Sequence, residues 1–397
     1  MPEVGTAFDR MAADVAGTRG ALFGLVARTT AMTVLTLGVY SFWARTRVRR
    51  WLWSSLRVGG TPFEYVGQPL EKLMGFVIAA VIVAVYLGLV VMILIFGSLN
   101  IWASPMPGTV ASFVLVLPVY WFAQYRGMRY LLNHTRWRGI GFSMAPGAWR
   151  YAGLTIVWTV LSILSAGLLW PVRVQRMWRF RARNAYYGDD HFRLTFPARR
   201  LVAPFLPALS GIWGLAVTTW LTVEGGGGAY GVLYLLFGPL AFFGWVHWRV
   251  ASFRLLTSSL AFAGAAGITV TPSTGRVIGI HIAGWLVVGA VLAAAAIAVA
   301  FGAGFTLVAT AVTAEAESFE DLNPYLLFAL GLLFYVTFFL GRGAMKLVFV
   351  TFPLIRHVAE TLTVQGAAEV NAVRAGERQH MADADGFANL FDLGSGI

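Results

Sequence analysis

The chain has 397 residues, of which 58% are hydrophobic and only 12% charged, where a water-soluble domain carries roughly a quarter charged residues. It contains no cysteine, which excludes disulfides, thiolate metal sites and cysteine nucleophiles. The net charge of +12 comes from 30 basic residues, all arginine except Lys72 and Lys346, and because these sit in short stretches between apolar runs they read as topology signals and membrane-surface contacts, not as a nucleic-acid footprint.

Residues 1–19 carry Glu3, Asp9 and Asp14 ahead of any apolar stretch. A cleaved signal peptide starts with a basic region, so this segment is expected to be an unprocessed cytoplasmic tail. The apolar segment 20–44 follows. It contains Arg28, and its uncharged part runs only from Thr29 to Ala44, short of the ~20 residues a spanning helix needs. The stretch from Trp43 to Arg57 then places Trp43, Trp51 and Trp53 among Arg45, Arg47, Arg49, Arg50 and Arg57. That composition suits the membrane interface, where indole rings and guanidinium groups meet phosphate headgroups.

Four runs without any charge, Leu73 to Tyr125, Leu201 to Val223, Val277 to Ala314 and Leu322 to Gly341, each reach spanning length. They predict three helical hairpins, at about 72–99 with 109–130, 201–223 with 230–250, and 278–312 with 322–350. The hairpin linkers 100–108, 224–229 and 313–321 hold no Lys or Arg, and the last holds Glu315, Glu317, Glu320 and Asp321. These linkers are expected outside and the arginine-bearing ones inside.

Between the first two hairpins lies the apolar segment 151–172. If it crossed the membrane, Arg173 to Arg200 and every later linker would be inverted, so both 20–44 and 151–172 are read as re-entrant or interfacial segments that begin and end on the cytoplasmic side. Just beyond the second one, Arg173, Arg176, Arg179 and Arg183 fall on one face of a helix, opposite Val174, Met177 and Trp178, which makes an amphipathic basic helix. The tail after the last hairpin interleaves Asp383, Asp385 and Asp392 with Phe387, Leu390 and Phe391 and is expected to dock on the basic face.

The two short segments also look like copies. At an offset of 129, Gly38 meets Gly167, Arg47 meets Arg176, Arg50 meets Arg179, Gly59 meets Gly188 and Phe63 meets Phe192. A weaker echo sets Ser54-Ser55-Leu56 over Ser258-Ser259-Leu260, with Glu360-Thr361-Leu362 as a third remnant. Duplication of this kind is a common way to build membrane folds.

The runs Thr36 to Arg50, Gly60 to Gly67 and Glu71 to Phe76 resemble the YjgN-like family of bacterial inner-membrane proteins. Thr135 to Phe142, Asn184 to Asp189, Gly376-Glu377 and Ala382 to Ala384 continue the likeness. Function in that family is unknown, so the resemblance implies location and architecture and transfers no site residue.

Catalytic signatures are absent: no nucleophile elbow, phosphate-binding loop or dinucleotide fingerprint is present. Asp189-Asp190-His191 reads as a charged turn, the external acidic cluster as ordinary loop composition, and no metal or cofactor is expected. The expected fold is all-α and polytopic, with about six transmembrane helices in three hairpins, two re-entrant or interfacial helical segments and internal repeats. Its expected parts are the tail 1–19, a membrane domain 20–355 (repeat A 20–130, repeat B 150–260, third hairpin 278–350) and a cytoplasmic tail 356–397. Both termini are expected inside, in the bacterial inner membrane. The leading functional reading is channel-like or carrier-like handling of a lipid or anionic solute; the alternative is a structural or scaffold envelope protein that binds anionic lipid, and an enzyme acting on lipid headgroups ranks third. The candidate anionic-lipid contacts are Arg45, Arg47, Arg49, Arg50, Arg173, Arg176, Arg179 and Arg183, with membrane lipids as the expected partners and no nucleic acid.

Overall fold

A computed structural model describes residues 10–225, 228–262, 264, 266–314 and 324–376. Of the described residues, 73% are helical, as an all-α polytopic membrane protein should be. Among the described residues, six helices are long and apolar enough to cross a membrane: Val83–Trp102, Met106–Asn133, Ala198–Glu224, Tyr230–Thr257, Thr274–Ala298 and Phe338–Glu360. They fall in the three hairpins that the charge-free runs predict.

What the sequence did not announce is a ring of short strands through which every hairpin is threaded. One pattern repeats along the chain: a strand, two antiparallel helices, and a second strand that pairs with the first. It appears as β1 (Arg10–Val15), α1 (Arg19–Leu35), α2 (Ser41–Ser55) and β2 (Leu56–Val58). It recurs as β3 (Thr61–Tyr65), α3 (Pro69–Trp102), α4 (Met106–Asn133) and β4 (Thr135–Trp137), then as β5 (Ile140–Met144), α5 (Ala148–Leu164), α6 (Trp170–Asn184) and β6 (Ala185–Tyr187). The fourth copy starts with β7 (Asp190–His191) and β8 (Arg193–Leu194), passes through α7 (Val202–Glu224) and α8 (Leu233–Thr257), and ends in β9 (Leu260–Phe262). The last runs from β10 (Ala266–Val270) through α9 (Thr274–Ala314), α10 (Pro324–Lys346) and α11 (Phe352–Glu360) to β11 (Leu362–Gln365), before a short α12 (Ala367–Ala372).

All pairings are antiparallel. Within copies the registers include Ala13↔Val58, Phe63↔Trp137, Phe142↔Tyr187, Leu194↔Leu260 and Ile268↔Val364. Tight turns join neighbouring copies, such as Gly59-Gly60 and Arg138-Gly139, where both residues have positive φ as a two-residue hairpin loop requires. The eleven-stranded order begins at β7 and ends at β8, yet only Phe192 separates those two strands. The Phe192 N–H still bonds Ala185 O at 3.0 Å, so the sheet closes on itself as a barrel, with β11 paired to β1. Closure leaves no strand edge open to another chain.

Alternation fills this barrel. On β1, Met11, Ala13 and Val15 turn inward while Ala12 and Asp14 turn out; on β3, Phe63 and Tyr65 turn inward while Glu64 faces out. The interior is an aromatic stack in which Trp137, Tyr187 and Phe262 are buried and Phe63, Phe142 and Phe192 pack against them. The Phe63–Phe142 and Phe142–Phe192 ring centroids lie 6.2 and 6.4 Å apart. Phe63 and Phe192, matched at the 129-residue offset, thus flank one ring. The turn end is stopped by α12, whose Val370 is 2% exposed within the same core. Beside it Arg374 N–H donates to Asp189 Oδ1 at 3.2 Å, Asp189 N–H donates to Arg374 O at 3.1 Å, and Arg138 Nη1 donates to Asn371 Oδ1 at 2.6 Å. The segment that reads as a polar tail is therefore docked at its start. Asp383, Asp385 and Asp392, like the acidic linker residues Glu315, Glu317, Glu320 and Asp321, lie outside the described residues.

The two short hairpins share one turn. After α1, the N–H of Gly38 bonds Thr33 O at 2.8 Å and that of Leu37 bonds Val34 O; after α5, Gly167 bonds Ser162 O at 2.7 Å and Ala166 bonds Ile163 O. Leu37 and Gly38 have φ of 49° and 95°, Ala166 and Gly167 of 54° and 89°. This is the bond pattern that ends a helix on a left-handed residue, and it satisfies carbonyls that apolar surroundings would leave without partners. Because β5 and β6 pair, as do β1 and β2, each short hairpin returns to the strand beside the one it left, as the long hairpin α3/α4 does between β3 and β4.

The described residues form two compact units. One comprises the residues up to Ala16, Trp53–Thr274 and those from Val358 on, and holds the barrel with the hairpins α3/α4, α5/α6 and α7/α8. In it α7 and α8 pack closely enough that a Cβ on Gly244 would meet Ala208 N at 2.6 Å. The other comprises Gly17–Leu52 and Gly275–His357. There a Cβ on Gly284 of α9 would meet Phe349 O at 2.6 Å, and Arg342 lies over the Trp285 ring at 5.4 Å.

Candidate lipid-facing site

The α6 arginines sit where a helix tethered at both ends presents them. Pro171 starts the helix, and Gln175, Met177 and Ala182 are buried. Gln175 Nε2 donates to Phe196 O at 2.9 Å, which fixes the helix's rotation against the strand that follows. With that face inside, Arg176 and Arg183 are exposed while Arg173 and Arg179 are half-buried. Arg173 Nε donates to Thr159 Oγ1 of α5 at 2.9 Å, and its guanidinium lies 4.5 Å over the Trp170 ring. Arg176 lies 5.4 Å over Trp158, Arg181 lies 5.5 Å over Tyr151, and Arg179 Nη2 makes a long 3.5 Å contact with Phe196 O. Burial lowers the pKa of Arg173, Tyr151 partly offsets this and Arg181 adds to it; arginine stays protonated all the same. The four residues read from the helical wheel therefore divide into two that face outward and two that pack against α5 and the strand β8 region.

In the other unit, α2 carries Arg45, Arg47, Arg49 and Arg50. Arg47 and Arg50 are exposed, Arg45 and Arg49 half-buried, and Arg47 lies 5.7 Å over Tyr40. Phe42, Val48 and Leu52 form its buried face. Each short hairpin thus carries arginines that aromatic rings hold in place.

Beside the α5/α6 turn, a groove of about 440 Å³ opens between this turn and α7/α8, lined by Ile163, Gly167, Trp170, Leu209, Trp213 and Trp245 among others. Trp213 Nε1 donates to Ala166 O at 2.9 Å and ties the turn to α7. The walls are almost wholly apolar. Sequence reasoning found α6 but not the residues that give it a site: Thr159, Trp158, Trp213 and Trp245 carry no charge, and only their tryptophan content hinted at an interfacial role.

The polar turn Asp189-Asp190-His191 does structural work. Asp190 accepts the His191 N–H and the Gly264 N–H, each at 2.7 Å. Burial alone would raise its pKa, but those N–H groups, with His191 and Arg193 nearby, hold the carboxyl below the usual range. In the barrel core, burial pushes the Tyr187 hydroxyl up to about 12, so it serves as a donor, to Trp137 O at 3.2 Å. Lys72 is buried, with its ammonium 4.8 and 5.1 Å from the Tyr65 and Tyr130 rings. Among the described residues, no three His, Asp or Glu side chains gather where they could hold a metal ion.

No curated protein and no solved structure matches this chain. One family model, described as a bacterial protein of unknown function, DUF898, matches residues 12–390, which takes in every hairpin and all of the strands except the first two residues of β1. The chain belongs to this DUF898 family of bacterial proteins of unknown function.

Proposed function

We propose that this protein is a non-enzymatic, multi-pass protein of the bacterial inner membrane that binds anionic lipid at its cytoplasmic face, with the closed barrel as the hub that fixes its hairpins. The observation that carries this reading is basic charge concentrated on two structured stretches of the chain. Residues 148–184 include Arg150, Arg173, Arg176, Arg179, Arg181 and Arg183, and residues 19–57 include Arg19, Arg28, Arg45, Arg47, Arg49, Arg50 and Arg57, with no Asp or Glu in either stretch. Arginines near an anionic leaflet contribute about 1 kcal/mol each. The positive-inside rule supports a cytoplasmic location for the arginine-bearing linkers. The barrel is packed with aromatic rings and stopped by α12, which supports a hub over a pore, and so favours the scaffold reading over a channel-like one.

The test uses the exposed arginines. Purified protein with Arg47→Gln, Arg176→Gln and Arg183→Gln should carry less phosphatidylglycerol and cardiolipin than the parent, since the about 1 kcal/mol lost at each arginine corresponds to roughly fivefold in binding at its own site. Equal anionic lipid content at equal expression would overturn the proposal.

A further inference from the structure

We propose that the groove between the α5/α6 turn and α7/α8 is a built site for one anionic phospholipid, with an acyl chain in the groove and the phosphate on Arg173. This rests on the lipid-binding reading above but makes a separate claim, a single defined site in place of a diffuse charged surface.

The first argument is charge. Arg173 is half-buried, and its engaged partners are neutral, a hydroxyl and an indole face. Arg181, a second cation, acts on it unfavourably, with Tyr151 opposing. A cation withdrawn from water without a counter-ion is costly, and in apolar surroundings such a residue marks a ligand. Thr159 occupies only Nε, so the two terminal nitrogens remain for the forked contact that guanidinium makes with phosphate.

The second argument is the pairing of that cation with an apolar trough. Arg173 stands over Trp170, and Trp170 is also a groove wall. A ligand reaching both must be amphiphilic, which excludes a free anion and a plain hydrocarbon. The volume of about 440 Å³ falls within the range of small-ligand pockets. Leu206, Val217 and Trp220 are exposed on α7, so the trough continues onto a helix face of the kind that meets lipid. The third argument is an unfilled polar requirement. The Trp170 Nε1 is buried and donates to no acceptor, as is that of Trp248 in the same aromatic group. An ester or phosphate oxygen supplies the acceptor that an indole N–H ordinarily finds when buried.

The test titrates delipidated full-length protein with dioleoyl phosphatidylglycerol and counts bound lipid by native mass spectrometry at low and high salt. One lipid should survive high salt in the parent and equally in the triple variant R47Q/R176Q/R183Q, because a desolvated contact is poorly screened. Arg173→Gln should weaken that one lipid about 30-fold, and Leu209→Trp, which fills the groove and leaves Arg173 in place, should remove it. Intact thermal unfolding of the Leu209→Trp protein shows that the fold is kept; Arg173→Lys, which keeps the charge but loses the fork, should lie between. Loss of all lipid at high salt, or parent-like retention by Arg173→Gln, would overturn the site. Inorganic phosphate binding at Arg173 as tightly as the lipid would make it a free-anion site, and equal retention of phosphatidylcholine would refute the anionic preference. If the triple variant keeps its loosely bound anionic lipid, the surface reading fails while the groove stands.

Discussion

Replacing Val370 with Asp should release α12 from the barrel without opening the ring. A helix of six residues has no stability of its own, so α12 stays where it is because of what it touches. Burial of the Val370 side chain contributes roughly 1.5–3 kcal/mol, and the hydrogen bonds that join Asp189 to Arg374 and Arg138 to Asn371 add about 0.5–1.5 kcal/mol each. Aspartate at this 2%-exposed position removes the first contribution and adds the cost of burying a carboxylate without a partner. The docked state should lose at least about 3 kcal/mol, which raises its opening roughly 150-fold. Ring closure lies upstream of Gly366, in the β1–β11 and β10–β11 ladders, and does not depend on α12. Amide hydrogen exchange separates the two. The Asp189 amide, whose acceptor is Arg374 O, and the Val370 amide should exchange far faster in the variant, while amides of the β10–β11 ladder keep their protection. An unchanged Asp189 amide in correctly inserted V370D protein would refute this account of docking.

Two other outcomes follow from the same structure. In this naturally cysteine-free chain, Ser104→Cys between α3 and α4 should react with a membrane-impermeant thiol reagent in intact cells and Thr195→Cys beside β8 should not; external labelling at Thr195 would reverse the orientation. Asp190→Asn should destabilise the protein by about 1–2 kcal/mol at neutral pH, the usual worth of hydrogen bonds to a charged group. Because the folded pKa of Asp190 is lowered, its contribution is present above the unfolded value of about 3.9 and lost as pH falls through the lowered one. The gap in melting temperature between parent and variant should therefore close in acid, and a pH-independent gap would count against the charged role.

The helices were legible because membrane insertion writes them in continuous apolar runs. The 129-residue repeat was legible as well: Gly38 and Gly167 end their helices with the same bonds. The strands were not. Thr135–Trp137 and Ala185–Tyr187 are three residues long, shorter than any alternation that can be read from a sequence, and each directly continues a helix. The repeated Gly59 and Phe63 lie in a β-hairpin, and the echo of Leu56 in Leu260 and Leu362 marks three strand starts after three helices. For the candidate site, a wheel drawn on α6 alone groups four arginines. It cannot see Thr159 or Phe196, which draw Arg173 and Arg179 toward the protein.

Ring closure by β1 and β11 also fixes an order of assembly. Arg10 pairs with Gln365, so the last seam cannot form until nearly the whole chain has been synthesised, and long-range pairings of this kind are slow. The hairpins, each local in sequence, enter the membrane long before that. Until then the sheet assembled from the local pairings, such as β1–β2 and β3–β4, is open, and its outer strands are exposed to the wrong partners that open edges attract. Truncation anywhere before Leu362 leaves the seam open while sparing earlier hairpins, so stalled or shortened chains should reach the membrane normally and then fail in quality control there.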